Sequence, residues 1–250
     1  MKLLRRILLT GLVAVLVAVS GSVAWANTPA LPSPEAFAAM KTTAEAKVST
    51  DGAGRLVFEP VGNAIGVGLI LYPGARIDPR AYAPVARRIA EKGSVVIVVP
   101  MVLHLAVLSP DRALEVMEAY PDIRAWAVGG HSLGGAMAAR FVHQHPGEAA
   151  GLVLWAAYPG NSDDLSQSLV SVLSVSAARD GLATPEKILA ARTLLPPGTT
   201  WVTIQGGNHA QFGSYGTQAG DRTATISPAE QWNLTAQATA QFLARLVPQS

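Results

Sequence analysis

Gly130-His131-Ser132-Leu133-Gly134 sets a serine between two glycines, after an apolar strand-like run (Ala125 to Gly129) and before a helix pattern (Ala136 to His143). A serine on a sharp strand-to-helix turn has a strained backbone and an exposed hydroxyl. Residues two before and two after it must be small, because a Cβ there would clash with the neighbouring strand or helix. Gly135 keeps the start of the helix narrow. The Leu133 amide then lies at a helix N-terminus, where unpaired N–H groups and the dipole favour an anion. The predicted chemistry is attack of the Ser132 hydroxyl on a carbonyl, with Leu133 supplying half of an oxyanion hole. A glycine-rich turn after a buried strand is the plain alternative.

Serine needs a base to take its proton, and the chain offers five histidines. His131 is expected to point away from the hydroxyl. His143 and His145 close the helix after the turn, where a role facing the helix dipole is expected. His104 follows an apolar run and suits the mouth of a site. His209 sits in Gln205-Gly206-Gly207-Asn208-His209, directly after the last strand-like run. It is the expected base, with a solvated loop histidine as the alternative. The acid that orients it is expected at Asp180, in the turn Arg179-Asp180-Gly181, where it would fix the imidazole tautomer and stabilise the imidazolium. Asp163 and Asp164, one strand earlier, are its competitors. The order Ser132, Asp180, His209 is nucleophile, acid, base. The second oxyanion donor is expected on the Ala75 amide, in Tyr72-Pro73-Gly74-Ala75-Arg76.

The elements that must position these groups alternate along the chain. Apolar runs at Arg55–Phe58, Gly66–Tyr72, Ser94–Val99, Ala125–Gly129, Gly151–Ala157, Leu169–Val175 and Trp201–Ile204 read as strands. Most are continuously apolar, as in a parallel sheet covered on both faces. Asp78-Pro79, Ser109-Pro110 and Thr184-Pro185 each place a capping residue before a proline at the first helical position. Ser227-Pro228-Ala229-Glu230 adds a capping box. Strand–helix alternation predicts an α/β fold, a mainly parallel sheet with helices on both faces and no large lid domain. Residues 55–250 are expected to form the domain, preceded by a linker and short N-terminal segment over 27–54.

The apparent basicity comes from the N-terminus. Lys2, Arg5 and Arg6 are three of the 19 basic residues and none of the 17 acids precedes Glu35, so residues 27–250 carry 16 basic against 17 acidic residues, a formal charge of −1. That balance excludes an electrostatic case for nucleic acid. A basic start, an apolar run from Ile7 to Val19, and Ala24-Trp25-Ala26 as an A-x-A site read as an export signal over residues 1–26. An uncleaved membrane anchor is the alternative, since Ile7 to Ala26 is just long enough to span a bilayer. Either way the body is expected outside the cytoplasmic membrane, periplasmic or secreted. The chain has no cysteine, hence no disulfide framework and no cysteine nucleophile.

From Leu56 to Leu246 the chain resembles the α/β-hydrolases, and within them the small lidless serine hydrolases similar to dienelactone hydrolase. Tyr72-Pro73-Gly74-Ala75, Gly130-His131-Ser132-Leu133-Gly134, Arg179-Asp180-Gly181 and Gly207-Asn208-His209 carry the likeness. Dienelactone hydrolases themselves use a cysteine where this chain has Ser132, and many esterases have His-Gly where it has Pro73-Gly74. The resemblance implies hydrolysis of a carboxylic ester or related acyl bond by a Ser-His-Asp triad, with a small-molecule acyl substrate and neither metal nor cofactor. An acyltransferase on the same triad and a non-catalytic binding protein are the rival readings. Leu103, Tyr158 and Phe212 are candidate substrate contacts, with ordinary packing as the alternative.

Overall fold

Continuously apolar segments become the central strands of one eight-stranded sheet. The computed structural model describes residues 11, 17, 20, 21 and 23–247, so the basic start and most of the Ile7–Val19 run lie outside the described residues. The strands are β1 (Ala46–Thr50), β2 (Leu56–Pro60), β3 (Val67–Tyr72), β4 (Val95–Val98), β5 (Ala125–His131), β6 (Gly151–Trp155), β7 (Ser171–Ala177) and β8 (Thr200–Ile204). Their spatial order is β1-β2-β4-β3-β5-β6-β7-β8. The first three pair antiparallel, and every pairing from β4 through β8 is parallel. Every residue of β3 and of β5 is buried, as expected of strands covered on both faces.

Alternation along β3 shows the two layers. Leu69 and Leu71 enter one apolar cluster with Tyr82, Ile89, Trp232 and Phe242; Ile70 and Tyr72 enter the other with Val116, Met137 and Phe141. The first face is therefore covered by α2 (Ala83–Ala90) and α6 (Pro228–Ala244). The second is covered by α3 (Arg112–Ala119) and α4 (Leu133–Gln144). Two short helices, α1 (Pro34–Ala39) and α5 (Pro185–Ala190), complete the set, and among the described residues no lid domain is inserted.

Local signals account for most element boundaries. Asp78 accepts from the Arg80 amide, Thr184 from Lys187 and Ser227 from Glu230, each cap preceding its proline. Ser109-Pro110 differs: α3 begins at Arg112, and the Ser109 hydroxyl instead meets the Val102 amide. β1 falls inside the segment read as a linker, because its Lys47, Ser49 and Thr50 gave no apolar run. It folds back on β2 through a turn in which Asp51 Oδ1 accepts the amides of Ala53 and Arg55.

Candidate active site

The parallel strands end on one side of the sheet, and three of those ends carry Ser132, Asp180 and His209. Tyr72 stands opposite Gly130, and Ala177 opposite Ile204, so the loops after β3, β5, β7 and β8 share an edge. Ser132 links β5 to α4 with φ 53° and ψ −123°. A non-glycine residue held there costs about 1–3 kcal/mol, which the surrounding packing has to supply. The packing is close. A Cβ on Gly134 would overlap the Tyr72 and Pro73 carbonyls, and one on Gly130 would overlap the backbone of Gly134. Glycine at both positions lets the β3 loop abut the turn, as the spacing predicted.

His209 follows β8 and is 1% exposed; Asp180 follows β7 and is fully buried. The imidazole Nδ1 lies 2.8 Å from Asp180 Oδ2, while Asp180 Oδ1 accepts the amides of Leu182 at 2.7 Å and Ala183 at 2.8 Å. With both carboxylate oxygens engaged, Nδ1–H is the donor and Nε2 carries the lone pair. That Nε2 is buried with no hydrogen-bond partner among the described residues, so the half-buried Ser132 is not bonded to it here. Hydrogen bonds of this kind often tighten only when substrate is bound. Gln231, from α6, fixes the loop under His209: its amide group accepts from the Asn208 N–H and donates to the Asn208 carbonyl.

The competing acids are engaged elsewhere. Asp163 faces Arg140 at 3.2 Å, and Asp164 caps the Ser166 amide. Among the other histidines, His143 meets the Asp164 carbonyl and His145 meets Asp111.

The two amides expected to hold an oxyanion are those of Leu133 and Ala75. Leu133 is the first residue of α4, and its N–H has no carbonyl one turn back. In the β3 loop, the Gly74 amide donates to the Tyr82 hydroxyl and the Arg76 amide to the His104 carbonyl. The Ala75 amide between them makes no hydrogen bond among the described residues. His104 and its neighbour Leu103 both hold left-handed backbones, φ 55° and 51°. Val102, Val107 and Leu108 of that segment are exposed, which makes an apolar rim next to the β3 loop.

His131 occupies a place that the sequence did not reveal. Its ring is fully buried and lies 4.5 Å from the His209 ring, with Phe212 stacked on it at 5.6 Å. The Tyr82 oxygen accepts from the Gly74 amide and is also hydrogen-bonded to His131 Nδ1, 2.9 Å away. Burial, reinforced by the neighbouring His209, holds the His131 pKa well below the usual histidine range, and the ring stays neutral. Phe212 accordingly corrects one expectation. At 0% exposure it has no surface for a substrate, and it packs His131 instead. Tyr158 and Leu103 are half-buried. Tyr82 and Gln231 were missed by sequence reasoning, since each lies in a helical pattern that reads as packing.

A cavity of about 530 Å³ lies behind the His209 loop, lined by residues including Gln211, Arg222 and Trp232. Ser132, Asp180 and His209 do not line it.

Residues 68–233 match the model of the alpha/beta hydrolase family. The chain belongs to that family. Among solved structures, the hydrolase is similar to the esterase domain of a Rhodothermus marinus protein (TM-score 0.58, 12% identity, covering 80% of this chain and 97% of that one). It is also similar to a predicted CIB-like hydrolase from Thermoplasma acidophilum (TM-score 0.57, 14% identity, 78% and 98%). A third likeness is to a thermophilic esterase from Thermogutta terrifontis (TM-score 0.56, 13% identity, 81% and 92%). At these identities the likeness is one of fold. No curated protein sequence matches the chain.

Proposed function

We propose that this family member is an exported serine hydrolase that cleaves a carboxylic ester or related acyl bond. The observation that carries the reading is the buried His209–Asp180 pair, whose second ring nitrogen is unpartnered, on the same sheet edge as a serine held at φ 53°. Ser132 attacks the carbonyl carbon and His209 Nε2 takes its proton. Asp180 stabilises the imidazolium that forms. The Leu133 and Ala75 amides hold the oxyanion. His209 then gives the proton to the leaving alcohol, and water repeats the sequence to release the acid and free Ser132. The apolar rim of Val102, Val107 and Leu108 favours an apolar acyl group. Export rests on residues 1–26, which act as signal or membrane anchor.

A fluorophosphonate probe and a panel of short- and long-chain esters, lactones and thioesters test this reading. The wild type is expected to label and to turn over at least one ester, and Ser132→Ala to do neither. An unlabelled wild type, or equal labelling of Ser132→Ala, overturns it.

A further inference from the structure

Between the short turn after His209 and helix α6, residues 220–225 lie across the loops that carry the acid and the base. We propose that Asp221 is a positioning residue for the His209–Asp180 pair, holding the two loops at a fixed separation. The inference rests on the serine-hydrolase reading.

One carboxylate serves both loops. Asp221 Oδ1 accepts the Gly181 amide at 2.9 Å, and Oδ2 accepts the Ala210 amide at 2.9 Å. Gly181 directly follows the acid, and Ala210 directly follows the base. Oδ1 also accepts the Arg222 amide at 2.9 Å, which fixes the carboxylate's own rotamer. All three partners are N–H donors, so the site needs two acceptor oxygens. An asparagine there would turn its NH₂ against at least one of them.

The rest of the segment is tied to the same two loops. The Asn208 side chain donates to the Arg222 carbonyl at 2.7 Å, Arg179 Nε to the Thr223 carbonyl at 2.5 Å, and the Thr225 amide to the Gly206 carbonyl at 2.8 Å. Gly181 is glycine for a related reason. A Cβ there would overlap the Gly220 carbonyl and lie 2.9 Å from Asp221 Cα, so the strap could not approach. On the sheet side, the acid and base loops are already joined by the Arg179 amide to the Gly207 carbonyl at 2.9 Å. Asp221 adds the second staple beyond the catalytic residues. Together they bracket the 2.8 Å bond between His209 and Asp180.

Misplacing a catalytic group by about an ångström costs on the order of 10²-fold in rate. Asp221→Asn is therefore expected to lower kcat by about 10- to 100-fold with KM unchanged, on an ester that the wild type hydrolyses. The downfield proton signal of the His209 Nδ1–H, read by NMR, should be broadened or shifted in the variant. Asn208→Ala removes one further tie and should show the same pattern at a smaller size, which keeps the test open if Asp221→Asn does not fold. A variant that melts lower yet keeps wild-type kcat and an unaltered signal well below its melting point overturns the proposal. A wild type that neither labels nor hydrolyses any ester overturns the parent reading instead, and the NMR comparison still decides the role of Asp221.

Discussion

Tyr82→Phe tests whether the hydroxyl that joins the β3 loop to the serine turn has the importance its geometry gives it. The ring is fully buried, and phenylalanine fills the same space, so the change leaves no cavity to account for. It removes one oxygen. Gly74 N–H loses its acceptor at 2.8 Å and His131 Nδ1 loses its partner at 2.9 Å. A buried polar group left unpaired costs about 1–3 kcal/mol, so two together cost about 2–6 kcal/mol. In a domain of this size each kcal/mol lowers Tm by about 2–4 °C. The lower half of that cost range, about 2–4 kcal/mol, corresponds to a fall of about 4–16 °C. Freeing Gly74 also loosens Ala75, whose amide is assigned a charge that develops only in the transition state. On an ester that the wild type hydrolyses, kcat should therefore fall about tenfold while KM holds. Calorimetry and steady-state kinetics on the two proteins are the assay. A melting point within about 2 °C of wild type, too small for even one unpaired group, together with an unchanged kcat, would refute the reasoning.

Two other expectations follow from the same residues. Asp180→Asn keeps the shape of the acid but favours the wrong imidazole tautomer, and turnover should drop by about 10⁴ if the protease precedent holds; near-normal rates would disqualify Asp180. His131 titrates near 6.5 in the unfolded chain and well below that when buried, so between the two values the unfolded state binds the extra proton. Its contribution to stability is complete above about pH 6.5 and is lost as pH falls, at up to about 1.4 kcal/mol per pH unit. Denaturant melts from pH 7.5 to 5 should show a shallower slope for His131→Gln, and equal slopes would exclude this account.

The parts of this fold that follow from short-range rules were legible in the sequence. Continuous apolar runs marked β3 to β8, and the glycines around Ser132 announced a close approach that the Tyr72 and Pro73 carbonyls make. Asp180 and His209, whose side chains meet at 2.8 Å, were singled out by asking which polar residues follow a strand. What escaped has a common cause. Tyr82, Gln231 and Asp221 act by reaching across 20 residues or more, to His131, Asn208 and Gly181 respectively, and no local pattern records such a partner. β1 escaped because its residues, three of five polar, have the composition of a linker. His131 was expected only to point away from the Ser132 hydroxyl, and Phe212 was read as a candidate substrate contact; no sequence signal records that the two rings stack on each other.

The edge position of β8 separates being folded from being active. Among the described residues it pairs only with β7, and four of its five residues are partly or fully exposed, whereas β5, which delivers Ser132, is buried along its whole length. Local opening is cheapest where buried contacts are fewest. Fraying of β8 would carry off His209, the proposed base, and leave the serine turn standing. Resistance to that loss falls to the two side chains that grip the loop from outside the sheet, Gln231 on Asn208 and Asp221 on Ala210. They act as the hinge pins of an otherwise detachable edge.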